Sequence, residues 1–244
     1  MVRLSVNVNK VATLRNSRGG RLPDVVEALD VCVAAGAPGI TVHPRADRRH
    51  ITPDDVRDIA AALTGREPHV EYNIEGDPRP DLIDLVLDVR PDQCTLVPVV
   101  PGEVTSQSGW GPGDASDRLA EVVARLQSRG IRVSVFVDAL PDSIRWAAAV
   151  GADRVELYTE PYARAFEAGE ARGSFQVYTE AAVLAKSLGL GVNAGHDLDL
   201  DNLVLFRTLP YLEEVSIGHA IISRALFAGL STVVGEYLEL LTGA

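Results

Sequence analysis

Short apolar runs rich in β-branched residues recur along the chain, separated by longer stretches whose apolar residues return every three or four positions. The short runs are LSVNV (4–8), GITVH (39–43), HVEYNI (69–74), QCTLV (93–97), RVSVFV (132–137), RVELY (154–158), LGVNA (190–194) and EVSIG (214–218). Each has the length and composition of a strand. Between them PDVVEALDVCVAAG, PDDVRDIAAAL, SDRLAEVVARLQSRG, PDSIRWAAAVG and FQVYTEAAVLAKSLG carry helical periodicity. Several open on Pro-Asp or Ser-Asp and close on Gly. Asp and Ser side chains accept hydrogen bonds from the free N–H groups of a first turn, and Gly takes the left-handed conformation after a last one, so these are helix ends with a mechanism.

Strand following helix without interruption requires parallel pairing, because each helix returns the chain to the same edge. Eight such units in 244 residues predict an α/β fold of the closed (β/α)8 TIM-barrel type. The competing architecture is an open doubly wound sheet, since alternation by itself does not show closure; the count of eight favours the barrel. No linker, low-complexity tract or shift of composition divides the chain, so residues 1–244 are read as one TIM-barrel domain. The glycine-rich GWGPGD (109–114) has neither GxGxxG spacing nor a Walker lysine and reads as a mobile connection before a helix capped at Asp114 or Ser116.

Composition narrows the function. Hydrophobic residues make up 46% and charged residues 23%, with no run of eighteen apolar residues and no charged-then-apolar leader, which predicts a soluble, cytoplasmic protein without membrane contact. A net charge of -11 repels polyanions and excludes broad nucleic-acid binding, while leaving room for a small anion in a local basic pocket. Cys32 and Cys94 belong to no ligand or redox spacing and read as reduced core residues. His43, His50 and His196 lack a second ligand at helical spacing, so no metal is expected.

The chemistry-bearing residues gather where a barrel builds its active face, at the carboxyl ends of the strands. After the first strand come Asn7, Asn9, Lys10, Arg15 and Arg18; after the second His43, Arg45 and His50; at the end of the third Glu75; after the fourth Thr105; on the sixth Glu156; after the seventh His196; after the eighth Gly218 and His219. Four of the five histidines lie at that face, and His69 opens the third strand. Arg48 and Arg49 read individually as solvated surface residues. VNAGHD and SIGHAIISRA place glycines beside polar groups at two successive strand ends, the second running into a helix. Glycine lets backbone N–H groups approach an oxyanion, and a helix N-terminus adds partial positive charge, so this is an expected phosphate site. The basic loop HPRADRRH and the loop NKVATLRNSRG offer a second, through the forked donors of Arg45 or Arg18. Two anion sites facing one pocket imply two phosphorylated substrates, and His43, His196 and Glu75 beside them imply proton transfer.

Taken together, VNVNKVATLRNSRG, GITVHPRADRRHI, YNIEGDP, CTLVP with EVTSQSGW, VELYTEPYA, VNAGHDL and IGHAIISRA resemble the pyridoxine 5'-phosphate synthase family over essentially the whole chain. That resemblance implies a cofactor-free condensation of 1-deoxy-D-xylulose 5-phosphate with 3-amino-2-oxopropyl phosphate, giving pyridoxine 5'-phosphate, inorganic phosphate and water. It implies His43 and Glu75 as proton acceptors, His196 as proton donor and Glu156 as a stabiliser of transition-state charge. Asn7, Gly218 and His219 would hold the amino-ketone phosphate with Arg18 reaching that side, and Arg45, His50 and Thr105 would hold the deoxyxylulose phosphate. It also implies a homo-octamer built from dimers.

Two positions depart from the family pattern. Many members carry Asp-His where this chain has Asn9-Lys10, and Gly where it has Asp197. Lys10 could contact a substrate oxygen in place of the histidine, whereas Asp197 adds negative charge beside an expected phosphate. The segment from Pro98 to Trp110 is expected to close over the mouth and keep water from reactive intermediates. The alternatives are a barrel lyase or isomerase acting on a single sugar phosphate, which needs one anion site, and a non-catalytic phosphate-ligand binding protein, which needs no Glu75 with His43 and His196.

Overall fold

The computed structural model describes residues 1–99, 106–114 and 116–243. Eight parallel strands form a closed barrel in chain order: β1 (Arg3–Asn7), β2 (Gly39–Val42), β3 (Glu71–Gly76), β4 (Gln93–Leu96), β5 (Arg132–Val137), β6 (Arg154–Tyr158), β7 (Gly191–Gly195) and β8 (Leu212–Ile217). Closure is made by β8 pairing with β1, from Arg3 opposite Glu214 to Val6 opposite Ile217. That pairing decides for the TIM barrel against the open sheet. The strand runs read from sequence lie within two residues of those observed, with β3 shifted furthest. His69 therefore precedes β3 as an exposed residue bonded to Asp92 at 2.8 Å, and Glu75 stands inside the strand.

Side chains alternate across a strand, so every second residue faces the helices. Those positions are apolar and fully buried: Leu4 and Val6, Ile40 and Val42, Ile74, Leu96, Val133 and Val135, Val155 and Leu157, Val192, and Val215. They join one core with helix residues such as Leu29, Ile59, Leu82, Val86, Ile144 and Val234. Each buried Leu or Ile there contributes about 1.5–3 kcal/mol by leaving water.

The other half of each strand faces the lumen, and it is polar. At the floor Arg3 pairs with Glu71 at 2.7 Å and with Glu214 at 3.1 Å, Arg132 pairs with Glu71, and Arg154 donates to Asn193 at 2.8 Å. Above them Ser5 and Thr41 share a 2.6 Å hydrogen bond, and Thr95 donates to Asn73 at 3.1 Å. Most buried polar groups in a folded protein are partnered, and these partners come from different strands, so the lumen ties the barrel together around its circumference.

Two connections differ from the sequence reading. NKVATLRNSRG, read as a loop, forms a helix over Asn9–Asn16 that buries Val11 and Ala12. GWGPGD, read as a mobile connection, is anchored: the Trp110 backbone N–H donates to Phe136 at 2.8 Å, its indole N–H donates to Leu96 at 3.0 Å, and its ring stacks on Trp146. A Cβ at Gly109 would lie 2.3 Å from the Val137 backbone, so only glycine admits this approach. The helix that follows runs from Ser116 to Gln127.

Candidate active site

A cavity of about 440 Å³ opens at the carboxyl ends of the strands. Asn7, Asn9, Lys10, His43, Arg45, His50, Glu75, Glu156, His196, Asp197, Gly218 and His219, all expected from sequence, line it together. Arg18 does not; it is an exposed residue in the turn after the helix Asn9–Asn16. Thr105, with residues 100–104 of the segment expected to close over the mouth, lies outside the described residues. Arg49, set aside as solvated, does line the cavity and pairs with Asp47 at 2.5 Å.

A chain of short bonds sets the His43 end of the pocket. The Asn9 N–H donates to Asn7 Oδ1 at 3.0 Å, and Asn9 Oδ1 in turn accepts from the His43 backbone N–H at 2.8 Å. Asn9 Oδ1 thereby ties the tops of β1 and β2 together, a bond that an amide or a carboxylate oxygen at this position accepts alike. Asn7 Nδ2 and the Ser216 hydroxyl donate to the two oxygens of Glu75, each at 3.4 Å. His43 Nδ1 stands 4.0 Å from Glu75 Oε2, too far for a direct hydrogen bond.

Burial governs the proton inventory. Desolvation, followed by His50, Arg45 and Arg79, pushes His43 down to about 3, so its imidazole is neutral. Desolvation also pushes Glu75 up to about 8, with Glu214 adding to the rise and the Ser216 hydrogen bond opposing it. Glu156 is driven well above the usual carboxylate range by burial and by the neighbouring Glu75 and Glu214. Near neutrality the pair therefore holds a protonated carboxyl and an unprotonated imidazole, not an ion pair. His43 Nε2 is buried with no partner among the described residues, and so is His50 Nδ1. Burial, then Arg45 and Lys10, lowers His50 to about 4.

Glycines shape two edges of the pocket. A Cβ on Gly195 would lie 2.4 Å from Glu156 Oε1, and one on Gly218 would lie 2.9 Å from Asn7 Cβ, so both positions owe their glycine to a close approach. Gly218 precedes the helix His219–Ala228, whose first turn carries no side-chain cap. Gly218, His219 and Ala220 line the cavity, presenting the helix N-terminus to it, which is the arrangement that binds an anion.

At the seventh strand end, His196 and Asp197 both adopt positive φ, 91° and 57°. A glycine would take this backbone at little cost. Here Asp197 Oδ2 contacts His196 Nδ1 at 2.9 Å, and that bond, with help from His219 and Lys10, holds the Asp197 carboxyl below its ordinary range despite partial burial. Thr159 donates its hydroxyl to the carbonyls of Gly195, at 2.7 Å, and of His196, fixing the turn. Tyr158 packs edge-on against His196 with ring centres 5.2 Å apart.

Ser216, Phe136 and Val97 were not singled out from sequence, yet all three line the cavity. The signal was available: each is two residues from another lumen-facing position of its strand, at Glu214, Ser134 and Thr95. Among the described residues no group of His, Cys, Asp and Glu could hold a metal ion. Among the described residues no helix is long and apolar enough to cross a membrane.

The sequence matches the family described as "Pyridoxal phosphate biosynthesis protein PdxJ" over residues 4–243. It is 51% identical over 240 residues to a pyridoxine 5'-phosphate synthase of Porphyromonas gingivalis, with 98% of both chains covered. It is 52% identical over 238 residues to a pyridoxine 5'-phosphate synthase of Bacteroides thetaiotaomicron, covering 97% of this chain and 98% of that one. Among solved structures, a phosphoribosylanthranilate isomerase from Thermotoga maritima superposes over 100% of both chains with a TM-score of 0.59 at 14% identity, a likeness of fold alone.

Proposed function

We propose a role for each wall of the cavity from one premise: the chain belongs to the PdxJ family and is an enzyme of vitamin B6 biosynthesis acting on phosphorylated small molecules. The reaction is the pyridoxine 5'-phosphate synthase condensation, in which 1-deoxy-D-xylulose 5-phosphate and 3-amino-2-oxopropyl phosphate give pyridoxine 5'-phosphate, phosphate and water. Imine formation, dehydration and ring closure each move protons, and the supporting observation is that His43, Glu75, Glu156 and His196 share one cavity with an uncapped helix N-terminus.

Neutral His43 accepts the first proton, because an imidazole kept uncharged by burial needs no prior deprotonation. Glu75 accepts protons once ionised, His196 donates to a leaving oxygen, and Glu156, whose carboxyl burial keeps protonated, stabilises charge in the transition state by hydrogen bonding. The amino-ketone phosphate sits on the Gly218–His219 helix end with Asn7, and the deoxyxylulose phosphate on Arg45 and His50. Lys10 supplies further positive charge at the same mouth. Asn9 serves by holding His43, Asp197 by its contact with His196; Arg18 and Thr105 are left without a role here. The assembly is a homo-octamer built from four dimers, which light scattering checks.

Arg45→Ala tests the assignment of the anion sites. Losing a guanidinium contact to phosphate from a buried position costs about 1.5–3 kcal/mol, so the KM for the deoxyxylulose phosphate should rise roughly ten-fold or more while that for the amino ketone holds. An unchanged KM for both removes Arg45 from the site.

A further inference from the structure

We infer that Val97 and Phe136, backed by Tyr158, form an apolar wall that selects the methyl end of a deoxy-sugar phosphate over a hydroxymethyl end. The inference rests on the substrate reading above and adds the feature that distinguishes one sugar phosphate from its hydroxylated counterpart.

The lumen makes the wall conspicuous. Its uppermost inward positions are polar on β1, β3 and β8, at Asn7, Glu75 and Ser216, and His43 follows β2 directly. At the ends of β4 and β5 the chain instead presents Val97 and Phe136, 5% and 4% exposed. With Tyr158 they make a buried cluster separate from the core that seals strands to helices. Phe136 and Tyr158 rings lie 5.3 Å apart. They stand apart from the cluster that joins strands and helices, and Val97 and Phe136 line the cavity.

Barrel order places β4 and β5 across the mouth from β8 and β1. The helix N-terminus at Gly218 and His219 follows β8, Lys10 follows β1, and the basic loop carrying Arg45 and His50 follows the neighbouring β2. A deoxy-sugar phosphate held by Arg45 and His50 shares the cavity with Val97 and Phe136, and on this inference its end remote from the phosphate rests against them. In 1-deoxy-D-xylulose 5-phosphate the end remote from the phosphate is a methyl group. In D-xylulose 5-phosphate it is a hydroxymethyl group.

Three backbone groups at the wall already hold partners. The Val97 N–H donates to Gly76 at 2.9 Å, the Phe136 carbonyl accepts from Trp110 at 2.8 Å, and the Leu96 carbonyl accepts from the Trp110 indole at 3.0 Å. An unpaired hydroxyl against an apolar surface is rejected by desolvation, whereas a methyl gains contact. Anchoring Trp110 thus engages two of the carbonyl oxygens nearest the wall.

Calorimetric titration of wild type, Val97→Thr, Val97→Ala and Phe136→Tyr with each of the two sugar phosphates tests this, with product formation assayed in parallel. Wild type should prefer the deoxy compound by about 10- to 100-fold. Val97→Thr and Phe136→Tyr, which each add a hydroxyl to the wall from a different strand, should cut that preference at least several-fold, and Val97→Ala, which stays apolar, should keep it. An equal preference in wild type and both hydroxyl-bearing variants overturns the wall. If wild type makes pyridoxine phosphate and the preference does not move, the wall fails and the reaction stands. If the preference collapses as expected while wild type makes no product, the wall stands and the reaction assignment fails.

Discussion

Glu75 and His43 are oppositely charged types forced into neutral forms by the same burial. The Glu75 carboxyl at about 8 binds its proton across most of the physiological range, and His43 at about 3 binds none. If Glu75 works as an acceptor, turnover should climb as pH rises through about 8, where it ionises. Glu75→Gln should remove that climb and lower kcat by roughly 10²–10⁴. A pH–rate profile that keeps its alkaline rise in the variant would assign the ionisation elsewhere. Both residues were legible in the sequence because each ends or nears the end of an apolar run, where a barrel strand meets its mouth. The left-handed backbone at Asp197 and its bond to His196 were not, since both depend on a turn conformation that composition does not specify.

Among the elements, the helix Asn9–Asn16 carries more than its length suggests. Arg15 grips Asp55 with two hydrogen bonds, at 2.6 and 2.9 Å. Asp55 is also the third residue of the helix Pro53–Leu63, where it accepts from the Thr52 backbone at 2.8 Å and completes a capping box. One buried carboxylate therefore fastens the two helices that flank the basic loop. Its burial raises its pKa, but the Arg15 and Thr52 bonds overcome that and leave it below the ordinary value. Asp55→Ala should cost about 3–5 kcal/mol, combining a lost cap with a stranded guanidinium. Urea unfolding would measure this, and a loss under about 1 kcal/mol would show the pair to be dispensable. This helix escaped the sequence reading because Asn9, Lys10, Thr13, Arg15 and Asn16 leave only Val11, Ala12 and an exposed Leu14 as apolar positions. The longer helices, with Pro-Asp starts and apolar stripes, were plain.

For the molecule as a whole, the lumen sets the pH range of stability. His43 and His50 have depressed folded-state pKa values, about 3 and 4, so what they contribute is complete above the imidazole value of 6.5 and is lost as pH falls through those values. Glu75 and Glu214 have raised ones, about 8 and 7, so what they contribute is complete below 4.5 and is lost as pH rises through 7 and 8. The two windows leave maximal stability of the empty protein between roughly pH 5 and 7. Glu75→Gln should flatten the alkaline side, becoming more stable than wild type above pH 8. Urea midpoints measured from pH 4 to 9 check this, and a wild-type midpoint that rises steadily to pH 9 would contradict it. Closure of the barrel rested in the sequence on a count of eight, because alternation is common to open and closed sheets. The polar lumen was present in the same strings, as the alternate residues of RLSVN, EYNIEG and RVELY, and becomes meaningful once closure puts those residues inside.

The most direct measurement mixes the purified protein with 1-deoxy-D-xylulose 5-phosphate and 3-amino-2-oxopropyl phosphate and follows the pyridoxine phosphate chromophore together with released phosphate. Wild type should form both in equal amounts, only when both substrates are present, and His43→Ala and Glu75→Gln should form them far more slowly. No chromophore from wild type, or variants that match its rate, would contradict the proposed site.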